Sequence, residues 1–182
     1  MLAYKGFKPG LICLGYQFVM GLNVTDKANR RANGFHCAEN PLDCLSYYSD
    51  MEHSEYYLVD AGGDIDEDDH DSKIACTHLT ILKKLTRQDF FLHALAYMVD
   101  HPKMECNHRV KREIGEAVSG FAVVRGIDPV ACGKKGDILA LAKEDPGTGQ
   151  IIQIGLAEVD GKQIRPDRWY NIELVERGVS TQ

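Results

Sequence analysis

Seven histidines and six cysteines are the residues of this 182-residue chain that invite chemistry first. Cys76-Thr77-His78 and Cys106-Asn107-His108 are two Cys-x-His pairs, and four such ligands could make a tetrahedral zinc site. The spacing is unusual for zinc, and Cys76 falls on what reads as a half-buried strand, so two unrelated structural cysteines are the expectation and no metal is assigned. Asp64-Ile65-Asp66-Glu67-Asp68 has the alternating carboxylates of a calcium loop, but the glycine at the sixth position and the closing glutamate are missing. His36 and Glu39 flank a strand-to-helix joint and could face a cleft there. The chain has no GxSxG, no P-loop and no GxGxxG, so neither a nucleophile nor a cofactor is implied.

The element that must position His36 and Glu39 is the stretch from Asn33 to Ser49. Asn33-Gly34 is a turn dipeptide, and Phe35 and Cys37 alternate with His36 as in a strand. Asn40 reads as an N-cap with Pro41 at the first helical position, where a missing N–H costs nothing. Leu42, Leu45 and Ser49, with Tyr48 beside them, give the following helix an apolar face.

Strands are expected before this joint at Met1–Phe7 and Leu11–Met20, the second with Ile12, Leu14, Tyr16 and Phe18 on one face. After it come Glu55–Asp60 and Ser72–Leu82, separated by a solvated acidic loop over Asp64–Asp71. Thr86-Arg87-Gln88-Asp89 resembles a capping box and opens a helix with Phe90, Phe91, Ala94, Leu95, Tyr97 and Met98 as its stripe, stopped at His101-Pro102. Glu105–Ser119 reads as a weaker helix. Beyond Gly120 the strand-like runs are punctuated by glycine and proline, with Asp160-Gly161 as a hairpin signal. The expected fold class is α+β: an antiparallel sheet packed against two or three helices, with a C-terminal β-meander. Its expected divisions are an N-terminal α/β core at 1–84, a helical segment at 85–120 and the meander at 121–182.

A hydrophobic content of 44% and a charged content of 26% are ordinary for a globular protein able to bury a core. Nothing at the start resembles a secretory signal, and the apolar run Leu11–Leu22 is too short to span a bilayer. Reduced thiols and a cytoplasmic location are therefore expected. The net charge of −6 is unevenly spread. From Ala32 to Asp71 there are twelve acidic residues and no lysine or arginine, which leaves the remainder net positive. That balance disfavours direct nucleic-acid binding. It suits an acidic surface of Asp64, Asp66, Glu67, Asp68, Asp69 and Asp71 that engages a basic protein partner.

Several blocks together carry a resemblance: Ala3-Tyr4-Lys5-Gly6-Phe7, Gly15-Tyr16-Gln17-Phe18, Gly34-Phe35-His36 through Asn40-Pro41-Leu42-Asp43, and Val159-Asp160-Gly161 through Trp169-Tyr170. The chain resembles an uncharacterised family, a domain of unknown function found in phages, prophages and bacterial mobile elements, over residues 1–84 and 137–176. The family itself supplies no reaction; the expected function is that of a small phage- or mobile-element-type accessory protein that acts by protein–protein interaction without catalysis. Relatives carry a Gly/Ala-rich repeat array between the two parts; here Ser119–Gly136 is expected to be too short to stack as a solenoid. A fold-level similarity to ADP-ribosyltransferase-like domains, through Tyr4-Lys5-Gly6 and Gly34-Phe35-His36, implies a different reading. Under it, Lys5, His36 and Glu39 would line a nucleotide cleft, with Lys5 where a cation binds the dinucleotide.

Overall fold

A computed structural model describes residues 1–26, 33–67 and 72–178. The chain forms two compact units, Met1–Thr86 and Arg87–Gln182. The described residues are mostly β, 49% strand against 12% helix, which corrects the α+β expectation. The first sheet does not lie against two or three helices; it closes on itself.

In the first unit the strands are β1 (Leu2–Phe7), β2 (Ile12–Cys13), β3 (Tyr16–Gln17), β4 (Gly21–Val24), β5 (Phe35–Ala38), β6 (Glu55–Glu67) and β7 (Lys73–Lys84). The long β6–β7 hairpin is the frame. β7 pairs along its other edge with β5 at Ile74 and Cys76 and with β4 at Leu79 and Ile81, while β6 pairs with β1. The ring closes where β1 meets β5. All these pairings are antiparallel. Closure removes most free edges and leaves alternate residues for one interior. That interior holds Ala3, Phe7, Phe18, Phe35, Cys37, Tyr57, Val59, Ile74, Cys76, Leu79 and Ile81. Phe7 meets Phe18 and Tyr57 edge-to-face, with ring centroids 5.2 and 5.5 Å apart.

The expected strand over Leu11–Met20 is instead the hairpin β2–β3. Leu14 and Gly15 both have positive φ, the requirement of a two-residue turn that matches strand twist, and Leu14 stands 95% exposed at its tip. Asp64–Glu67, expected in a loop, continue β6, and Ile65, Asp66 and Glu67 pair with β7 at Cys76, Ala75 and Ile74. The helix after Asn40 forms as expected but as a single 3-10 segment, Pro41–Ser46, whose Leu42 and Leu45 are fully buried.

The second unit opens with α1 (Arg87–Asp100), directly after Thr86, and continues with β8 (Val110–Glu116), β9 (Phe121–Cys132), β10 (Ile138–Glu144) and β11 (Ile151–Glu158). The expected helix over Glu105–Ser119 is largely strand. Gly115 disfavours a helix there, and a Cβ on it would come within 2.6 Å of Val124 Cγ2 in the neighbouring strand. The expected meander is also corrected. β8 pairs with β9, and β9 with β10, in parallel; only β10–β11 is antiparallel.

Parallel neighbours joined by so short a chain must be successive coils of a solenoid. Val110 stacks on Val123, Ile114 on Val130 and Phe121 on Ile138. Ser119–Gly136, expected to be too short to stack, thus supplies the middle coil. The chain reverses at Ser119-Gly120, both at positive φ, and bends at Glu113, also at positive φ. One face of the stack packs Ala122, Val124, Leu139 and Leu141 against Val159, Ile164, Tyr170 and Ile172. The other is covered by α1, where Phe91 meets Phe121 with centroids 4.9 Å apart. Asp160-Gly161 is a turn in the closing segment, its Asp160 carboxylate accepting from the Lys162 and Ile164 amides at 2.7 and 3.0 Å.

Candidate functional site: the seam of the barrel

β1 and β5 share one paired position, Tyr4 with Ala38, and then diverge. If the ladder continued, the next groups to pair would include those of Gly6 and His36. Instead each finds a side chain. The His36 carbonyl accepts from Lys5 Nζ at 2.5 Å. The Gly6 amide donates to the Cys44 sulfur, which the 3-10 helix brings over the seam. Two main-chain groups that a ladder would have satisfied are thus capped by side chains, as buried backbone requires.

Lys5 alternates with Ala3 and Phe7 on the inward side of β1 and is 5% exposed. Its ammonium lies 5.4 and 5.3 Å from the ring centroids of Phe7 and Phe18, so aromatic faces and one carbonyl solvate the charge. Two thiols share the interior. Cys37 and Cys76 are diagonal neighbours across the β5–β7 ladder, since Phe35 is opposite Cys76 and Cys37 opposite Ile74. The Cys37 thiol hydrogen-bonds to Cys76, which, with burial, raises the Cys37 pKa well above the ordinary thiol value. The same bond lowers that of Cys76 against the opposing effect of burial, helped by the Gly62 amide and the Lys5 charge. Cys76 Sγ in turn donates to the Phe35 carbonyl at 3.5 Å.

On the outer side, Tyr48 packs on Gly6 so closely that a Cβ there would lie 2.6 Å from Tyr48 Cδ2. Burial, then a hydrogen bond to Cys13, raises the Tyr48 pKa. Burial pushes the Cys44 thiol up to about 12, so its sulfur is a neutral acceptor. Asn40 caps the 3-10 helix, its Oδ1 accepting from the Leu42 amide at 3.1 Å. Ser72 ties this joint to β7, receiving from the Asn40 amide at 2.9 Å and donating to Asp43 at 2.6 Å.

Lys5 and His36 are therefore brought together, but through the carbonyl of His36. Its imidazole belongs to the outer face of β5, opposite Phe35 and Cys37, whereas the Lys5 ammonium is inside. Glu39 follows the strand, its amide bonded to the Ser72 carbonyl at 3.0 Å. Gly6, Cys44 and Tyr48 were not singled out as site residues; the close succession Tyr4-Lys5-Gly6-Phe7 was the signal, since a glycine inside a strand marks close approach. Cys76 faces the barrel interior, and Cys106 lies in the other unit, where it accepts from Arg125 Nη1 at 3.5 Å. Among the described residues no three His, Cys, Asp or Glu are grouped to hold a metal ion.

Of the acidic run, Asp64 is exposed on β6, and Asp66 and Glu67 stand opposite Ala75 and Ile74. Asp68, Asp69 and Asp71 lie outside the described residues. Other carboxylates of the segment are paired. Glu55 meets Lys84 at 2.5 Å, Asp60 meets the Met1 ammonium at 2.6 Å, and Asp50 meets His53 at 2.8 Å. No helix among the described residues is long and apolar enough to cross a membrane.

Residues 1–93 match the model of a family described as Domain of unknown function (DUF7666). That span takes in the whole barrel and the first turns of α1. Comparison with curated proteins and with solved structures gives no match.

Proposed function

We propose, for a chain that belongs to this DUF7666 family, that the protein is a non-catalytic interaction module, an accessory protein of phage or mobile-element type acting in the bacterial cytoplasm. Its working surface is the acidic end of the β6–β7 hairpin. One observation carries this reading: Asp64, Asp66 and Glu67 stand on β6, a strand paired with β7, and not on a loop. Asp64 has no ion-pair partner among the described residues, whereas Glu55, Asp60 and Asp50 each have one. Carboxylates fixed on a paired strand present a field of defined position, which steers a basic protein surface and raises the rate of encounter.

The nucleotide-cleft reading has less support. Its cation, Lys5, is spent on the His36 carbonyl inside the barrel.

The test is capture of a host protein from bacterial lysate by the immobilised chain, followed by kinetics with the purified partner. Replacing Asp64, Asp66, Glu67, Asp68 and Asp69 by their amides should slow association several-fold at low salt and converge with wild type at high salt. A captured partner whose association rate ignores both the substitutions and the salt would remove the acidic surface from the mechanism.

A further inference from the structure

We propose that β11 is a docking edge for a second copy of this chain, taken up antiparallel and strand against strand, so that two four-stranded sheets become one across a two-fold axis. The inference goes beyond the acidic surface and concerns the second unit alone. β11 is the last strand of its sheet and is paired on one side only, with β10. The Val159 amide donates to the Asp137 carbonyl at 2.8 Å, which sets the phase of that ladder. By antiparallel alternation, Gln153, Gly155 and Ala157 turn their main-chain groups to β10, and Ile154 and Leu156 turn theirs away. Among the described residues, those outward groups meet no main-chain partner.

A stack of coils needs a polar outer end, because its last rung otherwise offers any passing chain the template it offered its own. β11 has the opposite character. Its sequence, Ile-Ile-Gln-Ile-Gly-Leu-Ala-Glu, holds no lysine, arginine or proline. Ile152 and Ile154 are 59% and 37% exposed. Ile154 and Leu156 lie opposite Ala142 and Ala140, so they prolong the apolar face of the stack that α1 covers.

The other end of the sheet shows why the occupant is a second β11. β8 bears Lys111, Arg112, Glu113 and Glu116, and its course breaks at Glu113, where φ is 60° and the register slips between Arg112 and Ile114. Charges and a bend are what keep an edge from pairing. Head-to-tail stacking of β11 on β8, which would run on into a filament, is therefore blocked, whereas β11 against β11 closes at two copies. Charge permits that closure. Glu158 is the one ionic side chain of the strand and stands at its end. Antiparallel pairing carries the two copies of it to opposite ends of the ladder, each beside the apolar start of the other strand.

Sedimentation of the full chain over a concentration series, with amide hydrogen exchange resolved by NMR at both ends of the series, tests this. The mass should reach twice that of one chain, and the Ile154 and Leu156 amides should become protected as it does. Ile154→Lys brings two ammonium groups together near the axis and should stay monomeric while keeping the circular dichroism of wild type. The exchange measurement needs no variant to fold. A wild-type chain that is monomeric throughout, a dimer in which those two amides still exchange freely, or a folded Ile154→Lys that still dimerises would overturn the proposal. Protection of the same amides in a monomer only after host lysate is added would give the edge to a foreign strand, and would overturn it equally.

Discussion

Arg112 and Arg125 stand directly opposite each other on neighbouring parallel strands, and one carboxylate holds both. Glu144 accepts from Arg125 Nε at 2.5 Å and from the two terminal nitrogens of Arg112 at 3.0 and 2.6 Å. Stacked coils bring like residues into register, and like charges in register repel. Glu144, at the end of the third strand of the stack, converts that repulsion into a clamp. Arg125, 5% exposed, extends it by donating to the Pro102 carbonyl just beyond α1 at 2.6 Å.

Glu144→Ala should therefore be among the most damaging substitutions in the second unit. It strands a buried guanidinium beside a second one, a loss of about 3–5 kcal/mol. Urea unfolding followed by circular dichroism checks the magnitude.

The same clamp sets a pH dependence. The hydrogen bond from Arg112, ahead of that from Arg125, holds the Glu144 carboxyl below the ordinary glutamate value. Its contribution is present above the unfolded-state pKa of about 4.3 and is lost as pH falls through the lower folded value. Wild type and Glu144→Gln should differ in urea midpoint at neutral pH and converge in acid. A gap that persists in strong acid would show that packing, not charge, accounts for the loss.

Gly6→Ala tests the outer side of the seam. The added methyl meets the Tyr48 ring, and the ring cannot retreat without giving up its place over β1. Overpacking of this kind costs about 1–3 kcal/mol. Gly6→Ala combined with Tyr48→Ala should recover part of that cost, and a thermal-shift series of the four chains measures the coupling.

Lys5→Met keeps the stem and removes the charge. The His36 carbonyl is then buried without its donor, a penalty of about 1–3 kcal/mol, offset in part because no ammonium needs to be desolvated. Amide hydrogen exchange should quicken in β5 before it does in β6 or β7. Uniform acceleration across the barrel would place the weak closure elsewhere.

Glu113 separates conformation from bonding. It sits at φ 60° at the bend of β8, and its carboxylate accepts from the Ile127 and Asp128 amides at 2.9 and 3.1 Å. Glu113→Gly and Glu113→Ala both lose these bonds, but only alanine keeps the cost of the left-handed backbone. Alanine should be the less stable by about 1 kcal/mol in denaturant titrations.

Much of the first unit was legible in its residues. The Asn40-Pro41 cap and the β6 and β7 runs follow from local rules of capping and alternation, as does the start of α1 at the head of the second unit. What local rules could not show was closure, because pairing of β1 with β5 depends on contacts between residues far apart in sequence. The burial of Lys5 was out of reach for the same reason: nothing in Tyr4-Lys5-Gly6 says that the inward face of β1 is the one bearing the lysine. The second unit misled through Val110 and Ile114, whose spacing of four fits a helix turn equally well. Gly115 and Glu113 carried the contrary information, a glycine needed for close stacking and a bend at positive φ. Neither can be read so until the neighbouring coil is in place.

Coil stacking also has a bearing on how such a chain can change in length. Phe121 and Ile138 are equivalent sites one rung apart, and every residue from Phe121 to Gly126 has its counterpart from Ile138 to Lys143. A duplication of that period would add a rung whose inward side chains meet the same neighbours above and below. The barrel before it and the closing segment around Tyr170 would keep their own contacts. Insertions of other lengths would turn the inward residues out. The natural quantum of growth in this protein is the rung, and its length can vary in those steps while both ends stay as they are.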